Sequence, residues 1–318
     1  KEKEINNSRT IGISKQNIDF LNANGLNLKN LLWKIDKIEI YTDNLQNEKI
    51  LNFHNDGNEL FSIIKNFELY NYLTSSLKKN SFFKKKNGNI RINRKDYRLI
   101  VNCDSNNFFA KKYFFKKFDK EYNSYAYTTV IEHKKFLKNN TAIQIFTKKG
   151  PLAFLPISNK KTSVVYSVRN SENIDLTKSI GKYNSKYSIT KINRISNFKL
   201  ISSSLRNYYY KNILAFGELL HKLHPLAGQG FNMSVRDIKL LLELIKFKLD
   251  HGLELDNSIC KNFENKIKFK NHLFSSGVDF IYEFFHLESK MKNSILSNSI
   301  KFLGKNKYAN KLFTSLAD

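Results

Sequence analysis

With only three prolines and twelve glycines in 318 residues, the chain has little of what builds collagen-like repeats or flexible low-complexity linkers. Its two cysteines, Cys103 and Cys260, form neither a disulfide framework nor a metal-ligand spacing, and so point to a reducing compartment. No apolar run approaches the roughly 18–20 residues a helix needs to span a bilayer. The opening KEKEINNSRT lacks an apolar signal region, so a soluble or peripheral protein is expected. Acidic residues are also scarce, with 28 Asp and Glu against 54 Lys and Arg.

What is present suits a folded enzyme-sized chain. Apolar residues make up 41% and aromatics 14%, enough for a large core in one or two closely joined domains. The net charge of +26 comes from 46 lysines and only 8 arginines. Asn, Ile and Phe are abundant as well, and these residues share A/T-rich codons with Lys. Base composition therefore accounts for the charge without a nucleic-acid partner, whose recognition leans on the planar Arg fork. A looser attraction to an anionic membrane surface is the better expectation.

Periodicity orders the chain. Residues 11–33 read as a short helix and turn, with Ile18, Leu21 and Leu26 as core positions and Gly25 ending it. KIEIYT at 37–42 and KILNFH at 49–54 read as a strand pair. Ile63, Phe67, Tyr70, Leu73 or Thr74, and Leu77 follow one helical face. RLIVNC at 98–103 is a strand leading into Asp104. Residues 125–169 alternate as strands of a mostly antiparallel sheet. A further strand, NILAF, enters Gly217-Glu218. After Pro225 comes a Gly-rich loop, then a helix with Ile238, Leu241, Leu242, Ile245 and Leu249 three or four apart and Gly252 as its stop. Residues 256–318 read as mainly helical. The fold class is α/β, or mixed α+β.

The run ILAFGELLHKLHPLAGQGFNMSVRD at 213–237 carries the chemistry. A strand ends at Gly217, and the carboxylate of Glu218 follows at the edge where open α/β sheets bind ligands. Pro225 fixes a turn, while Gly228 and Gly230 let backbone approach a flat ligand closely. A helix starting near Phe231 or Asn232 aims free N–H groups at that place, which favours an anionic edge. The plainer reading is an ordinary strand–loop–helix connection with Asn232 as N-cap.

The whole run resembles the second FAD motif of the ubiquinone-biosynthesis hydroxylases, GDxxHxxHPxxGQGxNxxxxD, within the para-hydroxybenzoate-hydroxylase-like flavoprotein monooxygenases. GPLAFLP at 150–156 resembles that family's GPLALLP. RTIGIS at 9–14 resembles its DxRxxALS, with Arg9 at the arginine position. LIVNCDS at 99–105 resembles LVVGADG, with Asp104 at the acidic position. The family's VEN stands here as Ile64-Lys65-Asn66. All three prolines lie in the two better-matched motifs.

The resemblance implies a Rossmann-like FAD-binding domain with an inserted, mostly antiparallel substrate-domain sheet and C-terminal helices. FAD-binding parts are expected at 1–118 (with the strand pair near 37–54 joining the substrate sheet) and at 206–318; the substrate sheet is expected at 119–205. No GxGxxG occurs, so roughly 35 residues of the family's βαβ start are expected to be missing, and with them tight FAD binding by this chain alone. The expected cofactor-binding residues are Arg9, Asp104, Gly217, Glu218, Pro225, Gly228, Gly230, Phe231 and Asn232. The family's GD is Gly217-Glu218 here, one methylene longer, and its DG is Asp104-Ser105.

By the same resemblance, FAD reduced by NAD(P)H activates O2 and delivers one oxygen atom to an aromatic ring, a polyprenylated phenol on the route to ubiquinone. The cofactor carries the chemistry, so no side chain is expected to be catalytic. The expected setting is cytoplasmic and peripheral at the inner face of the cell membrane, with a ubiquinone-biosynthesis complex as a potential partner. Two alternatives stay open: a hydroxylase of a soluble aromatic acid, and a flavin-free basic binding protein on the same fold. His221 and His224 are expected to pack and hydrogen-bond in the loop, with no metal. Cys103 is expected to be a buried small hydrophobe. In FFAKKYFFKKF at 108–118, Phe108, Tyr113 or Phe114, and Phe118 are expected to be core or interface residues, with a membrane or nucleic-acid patch as the alternative.

Overall fold

The computed structural model describes residues 9–43, 48–54, 59–86, 92–169, 173–223 and 229–291. The chain starts with β1 (Thr10–Ser14), α1 (Lys15–Ala23), β2 (Trp33–Ile35), β3 (Lys37–Thr42), β4 (Glu48–His54), β5 (Phe61–Lys65) and α2 (Asn66–Lys78). Next come β6 (Ile100–Asn102), α3 (Phe108–Tyr113), β7 (Lys117–His133), β8 (Thr141–Thr147), β9 (Gly150–Pro156), β10 (Lys161–Arg169) and α4 (Leu176–Tyr183). The remainder comprises β11 (Ile189–Ile192), β12 (Ser196–Leu205), β13 (Tyr209–Tyr210), β14 (Ile213–Ala215), β15 (His221–Lys222), α5 (Gln229–Asp250) and α6 (Ser258–Met291). The fold is mixed α/β.

A nine-stranded sheet dominates, in the order β15-β12-β7-β10-β9-β8-β3-β4, with β11 also on β7. Its pairs are antiparallel except β3 with β8. Alternation along the strands gives it two faces. One face carries Tyr127, Ile131, Ile143, Ile145, Phe154, Val164 and Tyr166, covered by Leu176 and Ile180 of α4. The other carries Val130, Ala142 and Leu155, packed against Ile35, Ile63 and Trp33 of β2 and β5. Burying side chains of this size stabilises by about 1.5–3 kcal/mol each, which is why the register holds.

Two three-stranded sheets lie beside it. One is antiparallel, in the order β1-β5-β2. The other, β13-β14-β6, contains the parallel pair β14 and β6. Helix α5 joins the two: Val235 packs with Ile13, Ile18 and Leu69, while Leu241 packs with Ile213, Leu214, Phe216 and Phe263.

Several expectations need correction. Residues 11–14 are strand, and the helix is capped by Ser14, whose hydroxyl accepts from Asn17 N at 3.4 Å. Ile63 lies in β5, not in a helix; Ile63 and Ile64 are both 1% exposed, and a strand buried on both faces shows no period of two. On α5, Ile238, Leu242 and Leu249 are exposed, and Leu241 with Leu240, Leu244 and Ile245 supplies the packed side. Cys103 is exposed, because β6 ends at Asn102 and the cysteine falls in the turn beyond it. Phe108 and Phe118 are exposed too, while Phe109 and Phe114 are the buried members of that run.

Candidate functional site

Strand β14 is wholly buried and runs parallel to β6, with Ile213, Leu214 and Ala215 opposite Ile100, Val101 and Asn102. Both strands therefore end at one edge. The last rung is Phe216 N donating to Asn102 O at 2.9 Å, and beyond it the chains part. Gly217 turns with φ +59°, and a Cβ placed there would meet nothing within 4 Å. Glu218 follows, exposed.

Across the gap, side-chain amides build the turn after β6. Asn102 and Asn107 bond each other twice, at 3.1 and 2.6 Å, and Asn107 also caps α3 through Ala110 N at 2.9 Å. Asp104 N donates to Asn102 Oδ1 at 3.3 Å, and Asp104 Oδ1 accepts from Asn106 N at 2.8 Å. Asp104 and Glu218 thus stand at the ends of neighbouring parallel strands, the position where open sheets bind ligands. Neither has an ion pair among the described residues. The scaffolding role of Asn102 and Asn107 went unread in the sequence, where only their cap-forming residue type could have signalled it.

Helix α5 begins at Gln229, a little earlier than its periodicity suggested. Gly230, Phe231 and Asn232 fill its first turn. Asn232 is 4% exposed, and its side chain is fully engaged. Its Oδ1 accepts from Ser14 N at 3.0 Å and from Asn17 Nδ2 at 2.9 Å, and its Nδ2 donates to Gly12 O at 3.0 Å. The side chain therefore fastens the helix start to β1 and α1, and it is the first-turn N–H groups that remain for a ligand. Phe231 packs on the same apolar cluster as Ile13. The buried Gln229 Oε1 has no hydrogen-bond partner among the described residues.

Arg9 stands at the other end of β1. Its carbonyl accepts from Asn66 N at 3.0 Å, and its guanidinium lies 5.0 Å from the Phe198 ring centroid on β12. Thr10 Oγ1 reaches Ser163 Oγ on β10 at 3.1 Å. Strand β1 thus sits between the large sheet and the start of α5, with Arg9 on the sheet side and Gly12 and Ser14 on the helix side.

A buried polar chain links β15, α5 and α6. His221 Nε2 lies 2.6 Å from Asp237 Oδ2, and both side chains are almost inaccessible. Asn271 Nδ2 on α6 donates to the other Asp237 oxygen at 3.3 Å. Burial, with the nearby charge of Asp237, pushes the Tyr208 hydroxyl up to about 12. Burial likewise lowers Arg236, which stacks 4.6 Å from the Phe274 centroid. The pair brackets residues 223–229 from both sides. Pro225 and Gly228, like His224, lie outside the described residues. His221 does hydrogen-bond as expected; among the described residues no three His, Cys, Asp or Glu side chains converge as a metal site.

These features fit a flavin. The strand-end edge offers two carboxylates without ion pairs and an open cradle at Gly217. The α5 start offers N–H groups and a buried amide oxygen with no partner among the described residues.

No family model matches the chain. It is 29% identical over 100 residues to the ubiquinone biosynthesis monooxygenase COQ6 of Schizosaccharomyces pombe, covering 31% of this chain and 21% of that protein. It is 26% identical over 149 residues to the 3-demethoxyubiquinol 3-hydroxylase of Escherichia coli, covering 44% and 38%. The chain thus matches well under half the length of these relatives. Among solved structures, p-nitrophenol 4-monooxygenase PnpA from Pseudomonas putida superposes with a TM-score of 0.78 at 11% identity, over 98% of this chain and 89% of that one. PqsL from Pseudomonas aeruginosa, a probable FAD-dependent monooxygenase, gives 0.67 at 13% identity, over 93% and 89%. At such identities the structures establish the fold, and the sequence relatives narrow it. The chain is thus similar in part to ubiquinone-biosynthesis hydroxylases, and it shares its fold with flavin-dependent aromatic monooxygenases.

Proposed function

We propose that the full protein is an FAD-dependent monooxygenase that hydroxylates an aromatic ring, with a polyprenylated phenol of ubiquinone biosynthesis as substrate and NAD(P)H as reductant. The observation that carries this reading is the edge where β6 and β14 end together, with Asp104 and Glu218, neither in an ion pair among the described residues, beside the open turn at Gly217. When bound, FAD supplies the redox chemistry and the activation of O2.

The chain's own residues bind and orient. Glu218 would accept from a hydroxyl of the bound cofactor, and Asp104 would hold a neighbouring part of it. The first-turn N–H groups at Gly230, Phe231 and Asn232 would favour an electron-rich edge of the cofactor. Pro225 and Gly228 are assigned to the cofactor by the family resemblance, and Arg9 would approach it from the sheet side. The wall opposite is the sheet face that carries Ser163: there Gln144, Ala153, Val165 and Thr128 lie side by side across four strands. Ala153 and Val165 at the centre of this row would leave room for a flat substrate, with the polar ends of Gln144 and Thr128 to either side. In this arrangement residues 1–118 and 206–318 hold the cofactor, and 119–205 hold the substrate.

A prenylated substrate places the protein at a membrane, where a complex of ubiquinone-biosynthesis proteins is a natural partner. Among the described residues no helix is long and apolar enough to cross one. Attachment is therefore proposed to be peripheral, at the inner face of the cell membrane. The test is the visible spectrum of the purified full-length protein. Oxidised-flavin absorbance, with FAD released on denaturation, is the expected outcome. A folded, colourless protein that takes up no added FAD overturns the reading in favour of a flavin-free binding protein.

A further inference from the structure

Helix α3 begins four residues after Asp104, and the segment around it is both aromatic and basic. Phe108, Phe115 and Phe118 are 66%, 61% and 63% exposed, an unusual outlay of apolar surface. They are held by a firm base, since Phe109 and Phe114 of the same run are buried and Tyr113 stacks 4.0 Å from Tyr210 on β13. The run is tied to β12 as well: Arg206 N donates to Lys116 O at 3.0 Å, and Lys117 pairs with Leu205.

A basic side chain stands beside each exposed ring. Lys112 lies 5.2 Å from the Phe108 centroid, Lys116 5.9 Å from Phe115, Arg206 5.5 Å from Phe118 and Lys211 5.6 Å from Tyr210. Residues 105–118 and 206–212 contain no Asp or Glu. Asp119, just beyond, pairs with Lys117 alone at 3.2 Å. Lys111, Lys112, Lys116, Arg206 and Lys211 have no ion pair among the described residues.

We infer that this face, Phe108, Phe115, Phe118 and Tyr210 with their flanking lysines, is where the protein docks on an anionic phospholipid bilayer. The chemistry matches layer by layer. Phe rings enter the boundary between headgroups and acyl chains, while ammonium groups at the same level meet lipid phosphates and carboxylates. All but one of the five unpaired cations are lysines, hydrated point charges suited to a diffuse anionic surface, whereas base recognition favours Arg forks. The proposal deepens the functional reading and rests on it for the reason a bilayer is approached. The patch adjoins the Asp104 turn, so docking brings the strand-end edge close to the lipid.

The test is co-sedimentation of the full-length protein with phosphatidylcholine vesicles, with and without phosphatidylserine. Binding is expected only with the anionic lipid and is expected to fall as salt rises. Each lysine contributes about five-fold, so Lys111→Glu, Lys112→Glu and Lys116→Glu together should weaken binding about a hundred-fold or more. Phe108→Ser with Phe115→Ser and Phe118→Ser should weaken it about ten-fold while leaving the melting curve unchanged, because the rings are exposed. Phe118→Ser alone serves if the triple variant melts early. No binding, binding that ignores both sets of changes, or tighter binding to a single-stranded oligonucleotide than to anionic vesicles overturns the proposal. A yellow protein that ignores vesicles sinks the docking surface alone. A colourless one that binds them sinks the hydroxylase reading alone.

Discussion

Gly150 and Gly217 both take positive φ, +136° and +59°, and both lie in segments that resemble the flavoprotein family. What surrounds them differs. A Cβ on Gly150 would fall 2.2 Å from Ser167 O, whereas one on Gly217 would meet nothing within 4 Å. The first glycine lets β9 press against β10 and is fully explained by the protein's own packing. The second opens onto space the protein does not fill. The same contrast separates Asn232, whose amide is saturated by β1 and α1, from Glu218, which has no ion pair among the described residues. A motif therefore mixes groups that hold the scaffold with groups left for a ligand, and only the surroundings tell them apart.

The largest effect should come from Gly150→Ala. Backbone strain and the overlap with a carbonyl that cannot swing aside should together destabilise by about 3–4 kcal/mol. Chemical denaturation would show this as a lower midpoint with an unchanged slope. A midpoint close to wild type would mean that β9 and β10 can part without loss, and the contrast with Gly217 would fail.

Next is the buried pair of His221 and Asp237. Asp237→Ala strands His221 without its partner and should destabilise by about 3 kcal/mol. His221→Ala should cost a similar amount, and the double variant little more than either, because the two act as one unit. Asn232→Ala removes the bonds to Ser14 N, Asn17 and Gly12 O and should cost about 2 kcal/mol. If these three variants melt like wild type yet lose FAD, the pair and the amide face the cofactor and not the scaffold.

Much of the architecture could be read from the sequence. The strands of 125–169 alternate cleanly, and α5 shows its period and its stop, where Leu253 N reaches Lys248 O at 2.8 Å past Gly252. The strand pair β3 and β4 was legible too. The failures share a physical cause. β5 is buried on both faces and so has no alternation to detect. On α5 only Leu241 and Ile245 of the expected positions pack, because apolar residues encircle the helix and only its neighbours decide which side is covered. At the site, the strand end and its carboxylate were visible, but the Asn232 partners lie more than 200 residues away, and the bond from His221 to Asp237 crosses a loop. Pairing at that range leaves no local pattern.

Glu218→Ala sharpens the comparison from the other side. An exposed side chain with no ion pair should shift stability by less than about 0.5 kcal/mol. Gly217→Ala should cost about 1 kcal/mol through its positive φ. Both variants should nevertheless weaken FAD retention, read as less flavin per protein after gel filtration. An unchanged flavin content in Glu218→Ala would remove that carboxylate from the site.

The smallest effect belongs to Glu39, on the far side of the large sheet from β1. Burial raises its carboxyl, but bonds from Lys37, Lys49 and Tyr41 outweigh this and hold it at about 2. A folded-state value below the ordinary one means the carboxylate stabilises the fold at any pH above about 4.5, and that this contribution fades as the pH falls toward 2. Tyr41, pushed up to about 12, does not titrate in that window. Glu39→Gln should therefore lower the midpoint modestly at neutral pH and flatten its fall between those two values. A variant that tracks wild type down the acid limb would show that the lysines at this edge confer no net stability, as exposed pairs often fail to do. A flattened limb would place a working ion cluster on the sheet face that carries α4, away from the strand ends where Asp104 and Glu218 have no ion pair among the described residues.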